Sequence, residues 1–154
     1  MTAPSNRVAQ LPPRWVIRLA WATHRAIYRI SGGRRGLHRP TADVWGTMRV
    51  RTIGRRSGAE RAVILGYFED GPNLVTMAMN GWADPEPAWW LNLQAKPEVT
   101  VDLAGASRRY HAHAADDDER SRLWARWGHY DKQLESYAAR RSRETQVVVL
   151  EPVV

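Results

Sequence analysis

The chain has 154 residues, 44% of them hydrophobic and 25% charged, which fits one globular domain with a single good core and excludes a disordered chain. It contains no cysteine, so disulfides, thiolate metal sites and thiol nucleophiles are excluded together. The formal charge is +7, carried almost entirely by arginine since Lys96 and Lys132 are the only lysines, and this favours an acidic partner: nucleic acid, anionic lipid, or a phosphorylated or carboxylated ligand.

Taken in order, residues 1–13 are polar and proline-bearing and read as a loose arm. Over Arg14–Ile30 the spacing predicts a helix, with Arg14, Arg18, Arg25 and Arg29 on one face. Val16, Ala20, Thr23 and Ile27 lie opposite, flanked by Leu19 and Ile30, with Trp15, Trp21 and Tyr28 at the edges. A basic amphipathic helix with aromatic flanks suits an anionic membrane surface. A helix packed by its apolar face on its own domain has the same pattern, and both readings stay open. Gly32, Gly33, Arg34, Arg35 and Gly36 should end the helix. No run is apolar enough to span a bilayer and no signal peptide is evident, so a cytoplasmic location is expected, peripheral on the membrane's inner face if the helix binds there.

Residues 47–53 alternate and are rich in β-branched side chains, which predicts a strand, and residues 61–68 predict a second. Asp70-Gly71-Pro72-Asn73 is a turn signal before a third strand over 74–79. Residues 80–86 read as a loop and 87–95 as a short helix with proline at its start, stopped by Lys96-Pro97. Residues 99–103 and 107–114 form a hairpin around Ala104-Gly105-Ala106. Asp116, Asp117 and Asp118 open a helix, where the macrodipole favours negative charge, and it should break near Gly128. A further helix carries Leu134, Tyr137 and Ala138, and residues 145–151 form a last strand apolar enough to be central.

Between the first two strands stands Gly54-Arg55-Arg56-Ser57-Gly58. A strand–turn–strand here presents two guanidiniums, a hydroxyl and two glycines at its tip. Glycine permits close approach to a ligand, and arginine forks match phosphate oxygens in pairs. The same residues also make an ordinary exposed hairpin turn. His111 and His113 share a strand face but lack further ligands at metal spacing, and read as exposed strand histidines. Trp89-Trp90 would stack a flat ligand or fill the core, and Tyr130 and Tyr137, seven apart, would line a pocket or pack.

Four segments in order carry a resemblance: Thr52-Ile53-Gly54-Arg55-Arg56-Ser57-Gly58; Asp70-Gly71 before Val75-Thr76-Met77-Ala78-Met79-Asn80-Gly81; Pro87-Ala88-Trp89-Trp90-Leu91-Asn92-Leu93 with Pro97-Glu98-Val99; and Val147-Val148-Val149-Leu150-Glu151-Pro152. The chain resembles the deazaflavin-dependent nitroreductases of actinobacteria, which bind coenzyme F420. The resemblance implies a mainly β chain with flanking helices, folded as a split β-barrel of FMN-binding type over 39–154 and preceded by an arm and basic helix over 1–38. It also implies a homodimer.

By the same resemblance, Arg55, Arg56 and Ser57 would hold the coenzyme's phosphate. Arg61, Ala62, Val63, Ile64, Leu65 and Gly66 would line its tail and ring. The backbone of Met77, Ala78, Met79 and Asn80 would meet the ring edge, and Ala88, Trp89, Trp90, Leu91 and Asn92, at a helix N-terminus, would hold the ring's other end. Tyr137 and Tyr130 are the substrate-side candidates for donating a proton or hydrogen bond. The sequence departs from the family at Ile64 and Gln146, where proline is common, at Trp82, usually glycine, and at Trp90-Leu91, usually tyrosine–histidine. Trp82 and Trp90 would make the substrate side narrower. The implied activity is hydride transfer from reduced F420 to a planar small-molecule acceptor such as a quinone or nitro compound, with no metal. Alternatives are an FMN-dependent reductase on the same fold and a protein that binds F420 without turnover. Nucleic-acid binding explains the arginines but not the motif order, and is set aside.

Overall fold

Strand alternation sorts the side chains of six strands between two cores, and this sorting builds the molecule. A computed structural model describes residues 12–30 and 36–154. The arm expected over 1–13 and the stretch 32–36 therefore lie outside the described residues, except at Pro12, Pro13 and Gly36. The first helix, α1, is Arg14–Ile30. Strands β1 (Gly46–Ile53), β2 (Glu60–Asp70) and β3 (Asn73–Met77) follow, then helix α2 (Ala88–Ala95), strands β4 (Glu98–Leu103) and β5 (Ala106–Ala114), helices α3 (Asp117–Tyr130) and α4 (Leu134–Ala138), and strand β6 (Val147–Pro152).

The strands close a barrel in the order β1-β2-β3-β6-β5-β4, every neighbouring pair antiparallel, with β4 returning to β1 through pairs such as Val50 with Val101. Closure leaves no free sheet edge. Inside lie Met48, Val50, Tyr67, Leu74, Val99, Val101, Tyr110, Val148 and Leu150, capped at one end by Trp89, Trp90 and Leu93 of α2. The alternate residues Phe68, Val75, Met77, Val147 and Val149 face outward and are covered by Leu123 and Trp127 of α3 and by Leu134. β6 is thus buried on both faces, as its apolar run predicts.

Among the boundaries that differ from expectation, two have a local cause. β3 stops at Met77 because the chain turns left-handed at Asn80 (φ 47°). α3 runs through Gly128 to Tyr130 and closes with Asp131 N–H donating to the Trp127 carbonyl at 3.0 Å. Burial of Leu123 and Trp127 outweighs the helix cost of one glycine, about 1 kcal/mol. α1 occupies the predicted span. Of its described side chains, Val16 and Ile17 are half-buried, while Trp15 is 68% and Leu19 58% exposed.

Candidate functional site: an arginine-lined cleft

The β1–β2 hairpin tip and the start of α2 face each other across a cleft of about 530 Å³. Its wall includes Thr52, Gly54, Arg55, Arg56, Ser57, Arg61, Ala62, Val63, Asn80, Pro87, Ala88, Trp89 and Asn92. Three guanidiniums and no carboxylate stand among these residues, so the field inside favours an anion.

The tip is held in shape by its own polar groups. Gly54 N–H donates to the Ala59 carbonyl at 2.7 Å, and Ala59 N–H donates to Ser57 Oγ at 3.2 Å. A Cβ on Gly54 would lie 2.7 Å from Ser57 Oγ, close enough to displace the hydroxyl, and a tight 3.2 Å from the Ala59 oxygen. Glycine at this position thus keeps the serine hydroxyl tucked against the turn. Behind the tip, Asn92 Oδ1 accepts both the backbone N–H and Nη1 of Arg55 at 3.1 Å, while its Nδ2 donates to Thr52 Oγ1 at 3.1 Å. Asn92 and Thr52 are buried, so this arrangement works in a low-dielectric setting where each bond matters more. Arg56 and Arg61 are exposed and stand in the cleft wall.

Across the cleft, α2 begins after Pro87 with no side-chain cap and no acid in its first turn. Its first amides have no intrahelical acceptor, which makes this helix end a second anion-favouring feature. Ala62, Val63, Ala88 and Trp89 supply the apolar surface between the charged groups. The remaining wall comes from a tight turn, Asn80–Trp82, with φ of 47°, 59° and 64° at its three residues. Glycine adopts this region freely and asparagine tolerates it, whereas a tryptophan there costs roughly 1–2 kcal/mol. The departure from glycine at position 82 therefore falls where the backbone is left-handed. Trp82 offsets the strain by burial (7% exposed) and by stacking on Tyr137, centroids 6.0 Å apart at 22°.

Of the residues singled out from sequence, the cleft gathers Arg55, Arg56, Ser57, Arg61, Ala62, Val63, Asn80, Ala88, Trp89 and Asn92. Ile64 (4% exposed) and Gly66 turn outward from the barrel beyond the cleft, and Leu65 packs toward the interior. Met77, Ala78 and Met79 sit behind the wall with their backbone already engaged. Met77 pairs with Val147, Ala78 N–H donates to the Gln146 carbonyl, and the Met79 carbonyl accepts Trp82 N–H. Trp90 (4% exposed) points into the barrel, edge-on to Trp89, and neither it nor Leu91 lines the cleft. The expectation that Trp82 and Trp90 narrow the substrate side is corrected accordingly, since both indoles fill cores.

Tyr130 and Tyr137 also lie outside the wall. Tyr130 stacks on Phe68 and donates its hydroxyl to the Thr41 carbonyl at 3.2 Å. Tyr137 stacks on Trp82, which is itself not a wall residue. His113 Nε2 lies 2.9 Å from Glu119 and its Nδ1 3.6 Å from Glu151, far in role from any cleft group. Thr52 and Pro87 also line the wall; each opens a motif that the sequence marked, yet neither was given a site role there.

The sequence model of a family described as F420H(2)-dependent quinone reductase matches residues 21–152. An F420H(2)-dependent quinone reductase of Mycobacterium tuberculosis (strain H37Rv) is 30% identical over 132 residues, covering 82% of this chain and 86% of that protein. A solved F420-H2 dependent reductase superimposes with a TM-score of 0.62 at 24% identity, covering 68% of this chain and 93% of that one. A further structure, described as a domain-swapped dimer, gives 0.64 at 21% identity over 87% of this chain and 99% of the other. These two structures share the split-barrel fold.

Proposed function

The chain belongs to the F420H(2)-dependent quinone reductase family, and from that membership we infer that its cleft binds coenzyme F420 for the reduction of a quinone. The observation that carries the reading is the cleft itself: Arg55, Arg56 and Arg61 on one wall, an uncapped helix N-terminus on the other, and no acid between them. This donor set fits a coenzyme that is anionic at its phosphate and glutamate tail and flat and apolar at its ring. Bound in its reduced form, the deazaflavin would supply the hydride.

The protein's part is binding, orientation and exclusion of water. Arg56 and Arg61 would take the phosphate and tail carboxylates through charge-assisted hydrogen bonds. Arg55, fixed on Asn92, would add a guanidinium whose position is set before the ligand arrives. Trp89, Ala88 and Val63 would cover the ring and keep water from it. The α2 amides would favour negative charge at the ring's polar edge. Tyr130, with its hydroxyl committed to Thr41, is not assigned a proton-transfer role.

Quinones are lipid-soluble, and α1 bears on how one would reach the cleft. Its exposed Trp15, Leu19 and Trp21 stand on a helix with four arginines and no acid. Arg14 Nη1 at its start lies 3.8 Å from where a Gly81 Cβ would sit, beside the turn that lines the cleft. We read α1 as a peripheral contact with an anionic membrane; among the described residues no helix is long and apolar enough to cross one. Nitro compounds as acceptors and a homodimer remain part of the proposal. The deciding experiment is titration with F420, FMN and FAD, followed by turnover of reduced F420 with quinones and nitro compounds. Selective F420 binding with quinone turnover is expected, and preference for FMN would overturn the reading.

A further inference from the structure

A buried cation stands behind the cleft. Arg141 follows α4, and its side chain is completely enclosed (0% exposed). Its Nε donates to the Ala83 carbonyl at 2.8 Å, and Nη1 donates to the Ala78 carbonyl and to Thr145 Oγ1, each at 3.0 Å. Nη2 donates to the carbonyls of Asp84 and Pro85 at 3.2 and 3.4 Å and to Glu86 Oε1 at 2.8 Å. One guanidinium thus holds acceptors from residue 78 to residue 86, on both sides of the left-handed turn Asn80–Trp82.

We infer that Arg141 is a positioning residue for the coenzyme site, holding the 78–86 segment so that Asn80 and the start of α2 stand at the cleft. The inference rests on the F420 reading of the cleft. A run of positive φ persists only where the surroundings over-determine it. Here the carbonyls before and after the turn are gathered on a rigid planar fork, and Pro87 and Ala88 follow directly. Arg141 does not itself line the cleft, and Glu86 balances its charge, so it acts through geometry and not as an anion ligand. A lysine could keep the charge but, with one compact ammonium, could not reach the same spread of acceptors.

The test uses the full chain with Arg141→Lys and the milder Thr145→Val, which removes one acceptor of the guanidinium at a residue outside the cleft wall. Amide hydrogen exchange is read across the chain, with F420 affinity at low and high salt and kcat with a quinone. Expected for Arg141→Lys is faster exchange confined to 78–87, at least tenfold weaker F420 binding and a lower kcat. The salt dependence of binding should stay that of the wild type, because the phosphate-facing arginines are untouched. Thr145→Val should move the same readouts in the same direction by a smaller factor, and it carries the test if Arg141→Lys fails to fold. Faster exchange in 78–87 with unchanged affinity and kcat would overturn the inference, as would equal quickening in all barrel strands. If the wild type binds no F420, the functional reading falls with it. If the wild type binds and both variants match it, the inference alone falls.

Discussion

Asn92 accepts twice from Arg55 and donates once to Thr52, so a single carboxamide couples the cleft's charge to its buried wall. Replacing it with leucine leaves the Thr52 hydroxyl and the Arg55 N–H groups without partners, at about 1–3 kcal/mol for each buried group. Asn92→Leu is therefore expected to lower the melting temperature and to weaken F420 binding together. Arg56→Ala should behave differently, because Arg56 is exposed. Loss of one charge-assisted contact, roughly 1.5–3 kcal/mol, should weaken F420 at least tenfold and leave the melting temperature unchanged. Calorimetric titration beside thermal unfolding separates the two outcomes, and equal behaviour of both variants would refute the division of labour. Trp90 supplies a contrasting case. With its indole inside the barrel, Trp90→Tyr is expected to leave the ratio of quinone to bulky nitro turnover unchanged, and a shifted ratio would place it at the acceptor after all.

At the level of elements, α3 is tied to the β2–β3 turn by Asp70, which accepts from Arg122 at 2.8 and 2.9 Å and from Arg126 at 3.0 Å. The hydrogen bond from Arg122 outweighs the opposing upward push of burial and holds the Asp70 carboxyl below its ordinary value of 3.8. A lowered carboxylate pKa stabilises the fold above the unfolded value, and that contribution is lost as pH falls through the folded one. Asp70→Asn should therefore destabilise by roughly 0.2–1 kcal/mol per half-exposed pair at neutral pH, with the difference from wild type vanishing in acid below the folded value. Denaturant unfolding across that range checks it. α1 provides the second test at this scale. Gly36 O accepts the Thr47 hydroxyl at 2.7 Å, Leu37 is buried, and His38 bridges to Thr47, so the packed unit includes residues from Gly36 onward. A chain shortened to begin at Gly36 should stay folded and bind F420, yet lose co-sedimentation with anionic vesicles, which high salt should also abolish in the full chain. Equal sedimentation of both chains would remove the membrane reading, and unfolding of the short one would make α1 part of the core.

For the whole molecule, the closed barrel isolates Tyr67 and Tyr110, and burial raises both phenols, Tyr67 to about 12. A raised phenol pKa means stability complete below the unfolded value of 10.0 and lost as pH rises through about 12. Phenolate absorbance should thus appear in two stages, with the barrel pair ionising only as the fold opens; a single transition near 10 would contradict the enclosed barrel. The sequence by itself determined much of this protein. Alternation and turn residues set the strands, the arginine spacing marked α1, and Gly54-Arg55-Arg56-Ser57-Gly58 marked the turn that lines the cleft, because these are local properties of neighbouring residues. Linked motifs marked an F420-dependent reductase and its coenzyme, and the family shown is that of the quinone reductases. Tertiary structure alone decided which of two adjacent indoles, Trp89 or Trp90, meets the cleft, since a short helix with large apolar residues on several sides does not specify its inward face. It also decided that Trp82 lies buried on a left-handed turn, and that Arg141, which no sequence motif marked, is the enclosed fork behind the cleft. The last two outcomes depend on partners 55 to 63 residues distant in the chain, which no local pattern encodes.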